Sequence, residues 1–352
     1  MVLRILFAVV ACLLMASVGV AQDSSVTANL DAVQEYVLEN VSAMSDATQE
    51  YLATAQTYYD LIAESNFDYQ VAWDNHAEEL TQLVMDARAV WIEASTYYES
   101  SEGIVAGVPS LAYYDVWIDA GAPASEDSEG ALDWELVLPN GDVWESPGNF
   151  FHNLTEPALW GTHPDFVGLD VDLDGDGEVS FSEVLPEAII FLGAAQGLDM
   201  ATSELLDALE AWEPTLEDAF TAMVIMVPTM NEYFGQWKES AYIAGDASES
   251  ESFIALSRLV DISGILTGLD VTYDQVGVVV AEHDADLHAQ IDIGFNVLLT
   301  FVDDLYTQEQ DGVVFNSEEA DFFGAEAQRQ AENLSALLAQ AADELELEIV
   351  LE

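Results

Sequence analysis

Between about Ser25 and Ser65, apolar side chains return every three or four residues. Leu30, Val33, Tyr36, Val37, Val41 and Met44 set the stripe, and Tyr51, Leu52 and Ala55 resume it after Ser45. That period places them on one face of a helix. A second stripe of Val71, Leu80, Leu83, Val84, Val90 and Trp91 predicts a long helix, or a pair of helices, over 66–98. One apolar face per helix is what a bundle buries. The period then fails. Gly103-Ile104-Val105-Ala106-Gly107-Val108-Pro109 reads as a helix break, and Gly121 to Asp127 as a loop. Trp134 to Leu138 and Val143 to Glu145 flank Pro139-Asn140-Gly141-Asp142, and Asn-Gly between alternating runs predicts a small hairpin. Helical spacing returns over roughly 201–212, 216–242, 251–267 and 272–304, with turns expected near Pro214, Gly245 and Gly268. Asn316-Ser317-Glu318-Glu319 has the N-cap and returning acid of a capping box. Behind it, Phe322, Phe323, Leu334, Leu337, Leu338, Ala341 and Leu345 mark one face of a last helix. The pattern predicts an all-α protein with an irregular centre.

The first residues carry a different signal. Arg4 precedes an unbroken apolar run from Ile5 to Met15, and small residues lead to Ala21. This is the pattern of a secretory signal peptide over 1–21. The run is short for a membrane span, and no later segment approaches one. Val9-Val10-Ala11-Cys12 superficially fits a lipoprotein cleavage box, but Leu13-Leu14-Met15 keep Cys12 inside the apolar core. Cys12 is the only cysteine, so the exported chain has no disulfide. Export without disulfides fits the periplasm or surface of a prokaryote.

Charge narrows the partners. Five Lys and Arg face 67 Asp and Glu, a net charge of −62. With 51 % hydrophobic and 10 % aromatic residues, the chain has material for a core and is not expected to be disordered. Self-repulsion on this scale suits a salt-loving organism, since molar salt shortens the Debye length to about 3 Å. Nucleic acid and anionic membrane surfaces are excluded as partners, and cations are favoured.

One stretch states which cation. Asp172-Leu173-Asp174-Gly175-Asp176-Gly177-Glu178-Val179-Ser180-Phe181-Ser182-Glu183 has carboxylates at positions 1, 3, 5 and 12 of a twelve-residue EF-hand loop, with glycine at 6. Asp172, Asp174 and Asp176 would each give a side-chain oxygen to Ca²⁺ and Glu178 its carbonyl. Ser180 would contribute directly or through water, and Glu183 would close the shell with both oxygens. Val179 is expected to make a short β-type contact within the loop. Gly161-Thr162-His163-Pro164-Asp165 leaves little room for an entering helix, whereas Pro186 suits the first turn of an exit helix. The chain has no second loop of this kind, so a structural clamp is expected rather than a paired sensor.

A further segment carries a family resemblance. Phe150-Phe151-His152-Asn153-Leu154-Thr155-Glu156-Pro157-Ala158-Leu159-Trp160-Gly161 resembles the metal motif G-F-H-x-x-E-x-x-L-W-G of the imelysin-like family. Ala87-Arg88-Ala89-Val90-Trp91 is similar to its second-helix A-R-x-x-Y/W element, and Asp115-Val116-Trp117-Ile118-Asp119 to its D-x-x-I-D turn. Asp284 to Asp292 resembles the start of its final helical pair. The family includes periplasmic components of iron uptake, and its name carries a peptidase label.

The resemblance implies two related up-down four-helix bundles, with the hairpin and calcium loop as additions. The first bundle would span 22–160, the loop segment 161–200 and the second bundle 201–352. It also implies a second metal site at His152, Glu156 and Asp119, where imidazole and carboxylates suit iron, zinc or copper. A membrane permease would then be the partner in acquisition. Two departures stand out. His152 and Glu156 are four apart rather than three, and Pro157 disfavours helical dihedrals at Glu156 unless a helix begins there. The family's second-helix glutamate is Ser95 here, with Glu93 and Glu99 the nearest acids. No G-x-S-x-G, H-E-x-x-H or phosphate-binding glycine loop occurs. The alternatives are a calcium-stabilised surface module and a metallopeptidase.

Overall fold

The computed structural model describes residues 27–350 apart from Glu249, so the expected signal peptide and Cys12 lie outside the described residues. The chain is all-α apart from two small antiparallel ribbons. Two long helices open it, α1 (Leu30–Glu64) and α2 (Tyr69–Val105). The turn between them uses left-handed Asn66 and Phe67, and Asp68 caps α2 by accepting the Val71 N–H at 3.1 Å. The expected break over Gly103–Pro109 is present, with α2 ending at Val105 inside it.

The irregular centre follows. Helix α3 (Ala112–Asp115) runs straight into a π-helical turn, Val116–Ala120. Strands β1 (Glu135–Val137) and β2 (Val143–Glu145) form the expected hairpin, with Leu136 opposite Trp144. A second π-helical turn, Phe150–Thr155, continues into α4 (Glu156–Trp160). Strands β3 (Val167–Asp170) and β4 (Val184–Pro186) then bracket the candidate calcium loop. Pro186 therefore ends a strand, and the exit helix α5 (Ala188–Ala211) starts two residues later, capped by Glu187.

The remaining helices are α6 (Leu216–Met226), α7 (Met230–Glu239), α8 (Ala241–Ala244), α9 (Arg258–His283), α10 (Ala285–Gln310) and α11 (Ser317–Glu344). Pro228 splits the expected 216–242 helix, since a proline cannot donate to the preceding turn. The capping box at α11 forms as expected: Glu319 N–H donates to Asn316 and Asn316 N–H to Glu319. Phe322 does not join the buried face and is exposed.

Packing joins everything into one apolar core. Helix α1 lies against α2 and α5, whereas α9, α10, α11 and α7 pack on one another. The contact between α2 and α9 welds the two groups. Gly268, expected at a turn, sits inside α9 at this crossing. A Cβ there would lie 2.4 Å from the Ser100 carbonyl oxygen, and one at Gly264 would lie 3.0 Å from Glu99 Cβ. Glycine permits close backbone approach here rather than a turn. The approach brings Glu99 of α2 against the start of α9.

Candidate metal centre

Each π-helical turn contributes one side chain to a common point. The first carries Asp119 and the second carries His152, and π turns inside helices recur at functional sites. The extra residue between His152 and Glu156 falls within the second turn. That turn is pinned from both ends. Asn149 caps it by accepting the His152 N–H at 2.7 Å, while Thr155 accepts from the Trp91 indole at 2.7 Å and donates to Phe150 O at 2.7 Å. Helix α4 begins at Glu156 itself, so Pro157 occupies the first turn and Glu156 keeps helical dihedrals. The Glu156 side chain points inward and is fully buried.

His152 stands between two carboxylates. Its Nδ1 lies 3.0 Å from Glu156 Oε2, and its Nε2 lies 3.1 Å from Asp119 Oδ1. Glu156 is committed elsewhere as well: it accepts main-chain N–H groups from Phe253, Ile254 and Ala255 at 2.9, 2.8 and 2.9 Å. Its oxygens are therefore occupied, and it serves as the partner that fixes the imidazole's orientation. The third acid facing the ring is Glu99. One oxygen or nitrogen from each of Glu99, Asp119 and His152 falls within 4.8 Å of the others.

The donor set is one that a metal would complete. Both Glu99 oxygens are buried with no hydrogen-bond partner, and Asp119 Oδ1 and His152 Nε2, 3.1 Å apart, are buried facing each other with no other partner. Natural proteins rarely leave such atoms unpaired, because each costs about 1–3 kcal/mol. One imidazole and two carboxylates with converging lone pairs form a site that iron, zinc or copper would satisfy.

Further charges surround this point. Arg258, at the start of α9, donates to Asp261 Oδ2 at 3.0 Å and to Gln236 at 2.8 Å, and it lies 3.7 Å from Glu99. Its guanidinium carbon lies over the rings of Tyr233 and Phe253, 4.6 Å from each ring centre. Tyr98 donates to Asp115, and Tyr233 donates to Glu102. Burial, then the neighbouring acids, hold the Glu99 carboxyl well above its ordinary range, and Arg258 only partly offsets them. Burial and Asp119 push Glu102 up to about 7. For His152, burial opposes the charged form, yet Asp119 and Glu156 outweigh it and raise the imidazole to about 10. Burial would raise Asp119 too, but His152 reverses the sign and holds it low. Without a metal, the cluster keeps its charge down by holding protons.

Of the residues expected at this site, the structure brings together His152, Asp119 and Glu156, with Glu156 behind the ring rather than facing the open point. Glu99 takes the facing position and Glu93 is exposed. The sequence did carry a signal for Glu99. It and Glu102 continue the buried stripe of α2 after Trp91, Ser95 and Tyr98, and an acid where the period calls for a core residue is a marker of chemistry.

The twelve-residue loop folds separately at the surface. Carboxylate atoms of Asp172, Asp174 and Asp176 lie within 4.8 Å of one another. Their other contacts are loop amides: Asp172 accepts from Gly175 and Gly177, Asp174 from Asp176, and Asp176 from Glu178. Glu183 closes the loop by accepting from Leu173, Asp174 and Ser180. Val179 makes no β-type pairing and is exposed; the strand pairing lies outside the loop, in β3 and β4. Arg88 connects loop and centre. Its guanidinium donates to Ser182 O at 2.5 Å and Leu159 O at 2.8 Å, and stacks over Trp160. Lys238, the only lysine, pairs with Asp321 at 2.7 Å.

A helical bundle protein with a buried histidine and carboxylate centre at the seam of its helix groups is the class these features define. The imelysin family model matches residues 30–345, and the chain belongs to the imelysin family. No curated protein matches it. Among the described residues, no helix is long and apolar enough to cross a membrane.

Proposed function

We propose that this chain is an exported metal-binding protein serving acquisition of iron or another transition-metal cation, with a membrane permease as the receiving partner. The observation that carries the reading is the convergence of buried ligand atoms from Glu99, Asp119 and His152 at one point, with both Glu99 oxygens unpaired. Those residues would hold the ion, and Glu156 would keep the imidazole turned toward it. Calorimetric titration of chelator-treated protein with iron, zinc and copper tests it. Wild type should bind one ion per chain, and His152→Ala and Glu99→Gln should each lose at least tenfold in affinity, the lower end of what even an outer-shell loss removes. Equal, negligible binding by wild type and His152→Ala would overturn the acquisition role.

The loop Asp172–Glu183 is assigned a structural calcium. Its register and the inward turn of Asp172, Asp174 and Asp176 support this reading, and a calcium-stabilised surface module is what remains if the transition-metal role fails. Calcium at about a hundredfold excess over Kd should raise the Tm by roughly 4 °C. Glu183→Gln should abolish that increment. A melting curve indifferent to chelator would remove calcium from the account.

A further inference from the structure

We infer that the stretch Ser250–Ala255 is a door over the metal centre, and that the ion enters and leaves as it opens. This deepens the metal-binding reading and rests on it. The need for a door comes from burial. Both Glu99 oxygens, Asp119 Oδ1 and His152 Nε2 are closed to solvent. A cavity of about 440 Å³ reaches the Asp119 and His152 side chains without uncovering those atoms, and a second of about 590 Å³ also reaches His152. Ser252 borders both cavities. An ion standing in either must displace part of the wall before it is bound.

Most of that wall is built not to yield. Gly268 lets α9 meet α2 backbone to backbone at Ser100, and the His152 turn is held by Asn149 and by Thr155 under the Trp91 indole. Ser250–Ala255 differs. It belongs to no helix or strand, Glu251 is exposed, and its other five residues are only half-buried. Its amides at Phe253, Ile254 and Ala255 are satisfied by one side chain, the Glu156 carboxylate, in place of a backbone ladder. Two hydroxyls fasten its first half: Thr162 donates to Glu251 O at 2.6 Å, and Ser252 donates to His152 O at 2.8 Å. A segment with little buried apolar surface and few fastenings opens without unfolding the rest.

Phe253 is the part of the door that touches the site. Its ring centre lies 4.3 Å from that of His152, and it lines the smaller cavity beside Asp119 and His152. Its φ of +57° is left-handed, a conformation that a bulky side chain keeps only where its surroundings impose it. Opening relieves that strain, withdraws the ring from the imidazole and joins the two cavities along Ser252. Closing returns three amides to Glu156, the residue that orients His152, so capture and orientation are completed in one movement.

The test uses the full chain with cobalt(II) as the probe. Stopped-flow mixing gives the rates of uptake and of chelator-driven release, and hydrogen exchange follows the peptide spanning 250–255. Thr162→Val and Ser252→Ala each remove one fastening and no ligand. In each, strap exchange, uptake and release should all quicken about threefold or more, the change that one lost hydrogen bond sets. Kd should stay within about twofold, because a door alters both directions alike. Faster release alone, with Kd weakened in proportion, would make the stretch a part of the binding site and not its door. Unchanged uptake and release beside faster exchange would put the route elsewhere, and unchanged exchange in both variants would show that these hydroxyls fasten nothing. Each of these three results overturns the proposal and leaves metal binding standing. Wild type that takes no cobalt would remove both.

Discussion

Replacing Glu156 by glutamine changes one atom and reverses the logic of the centre. The amide oxygen can keep the Oε1 position, where it accepts from Ile254 and Ala255. Its NH₂ then takes the Oε2 position, facing the Phe253 N–H and His152 Nδ1, from which Oε2 lies 2.9 and 3.0 Å. Donor meets donor at Phe253. Two buried interactions fail, at about 1–3 kcal/mol each, for a total near 2–6 kcal/mol. For a chain of this length, about 1.5 °C of Tm follows each kcal/mol, so calorimetry should show a fall of roughly 3–9 °C. The effect on metal is sharper. Nδ1 now has to accept a hydrogen bond and gives up its proton, which leaves the ring's remaining proton on Nε2, the atom that faces Asp119 and Glu99. Cobalt affinity should drop at least tenfold, at or beyond the usual outer-shell effect. Nitrogen-15 spectra at neutral pH should show the imidazolium of the metal-free wild type replaced in the variant by a neutral ring protonated at Nε2. A variant that melts and binds cobalt like wild type would refute the reasoning.

Gly268→Ala should separate α2 from α9, because the new Cβ would lie 2.4 Å from Ser100 O. Overpacking of this kind costs about 1–3 kcal/mol, a Tm loss of roughly 2–5 °C, and the shift of neighbouring Glu99 should weaken cobalt binding; an unmoved melt would show that the crossing dilates freely. The pH response follows from His152, whose imidazole is raised to about 10. In metal-free protein a raised histidine contributes stability that is complete below its unfolded value, about 6.5, and lost as pH rises through 10. Metal must displace the same proton, so cobalt affinity should climb about tenfold per pH unit between 7 and 9; a flat profile there would count against His152 as a ligand.

Much of the fold was legible because period and caps are local. The stripes of α1 and α2, the hairpin at Gly141 and the box at Asn316 all depend on residues within a few positions of each other. The parts that misled depend on distant neighbours. Gly268 reads as punctuation in the sequence, and only Ser100 of another helix explains it. The 251–267 segment reads as helix from its start, yet α9 begins at Arg258. The residues before it spend their amides on Glu156 instead, with Phe253 in a left-handed conformation. Likewise, His152 and Asp119 stood out through the family resemblance of the segments that carry them. Glu99 could be ranked above Glu93 only by asking which acid interrupts an apolar face, and the two π turns left no mark that periodicity can detect.

The wrapping of Glu156 by Phe253, Ile254 and Ala255 has a consequence for the order of events in the life of the chain. The carboxylate and the first of those amides are 97 residues apart. A chain emerging end-first from a ribosome or an export channel has displayed Glu99, Asp119 and His152 well before the residues that orient and cover them. Local helices can form by then, but the orienting contacts are of long sequence separation and assemble late. The finished pocket therefore first exists wherever the stretch around Phe253 emerges. An ion bound there would be set by the composition of that compartment as much as by the ligands, and a protein completed on the far side of a membrane would sample the metals outside the cell rather than those within.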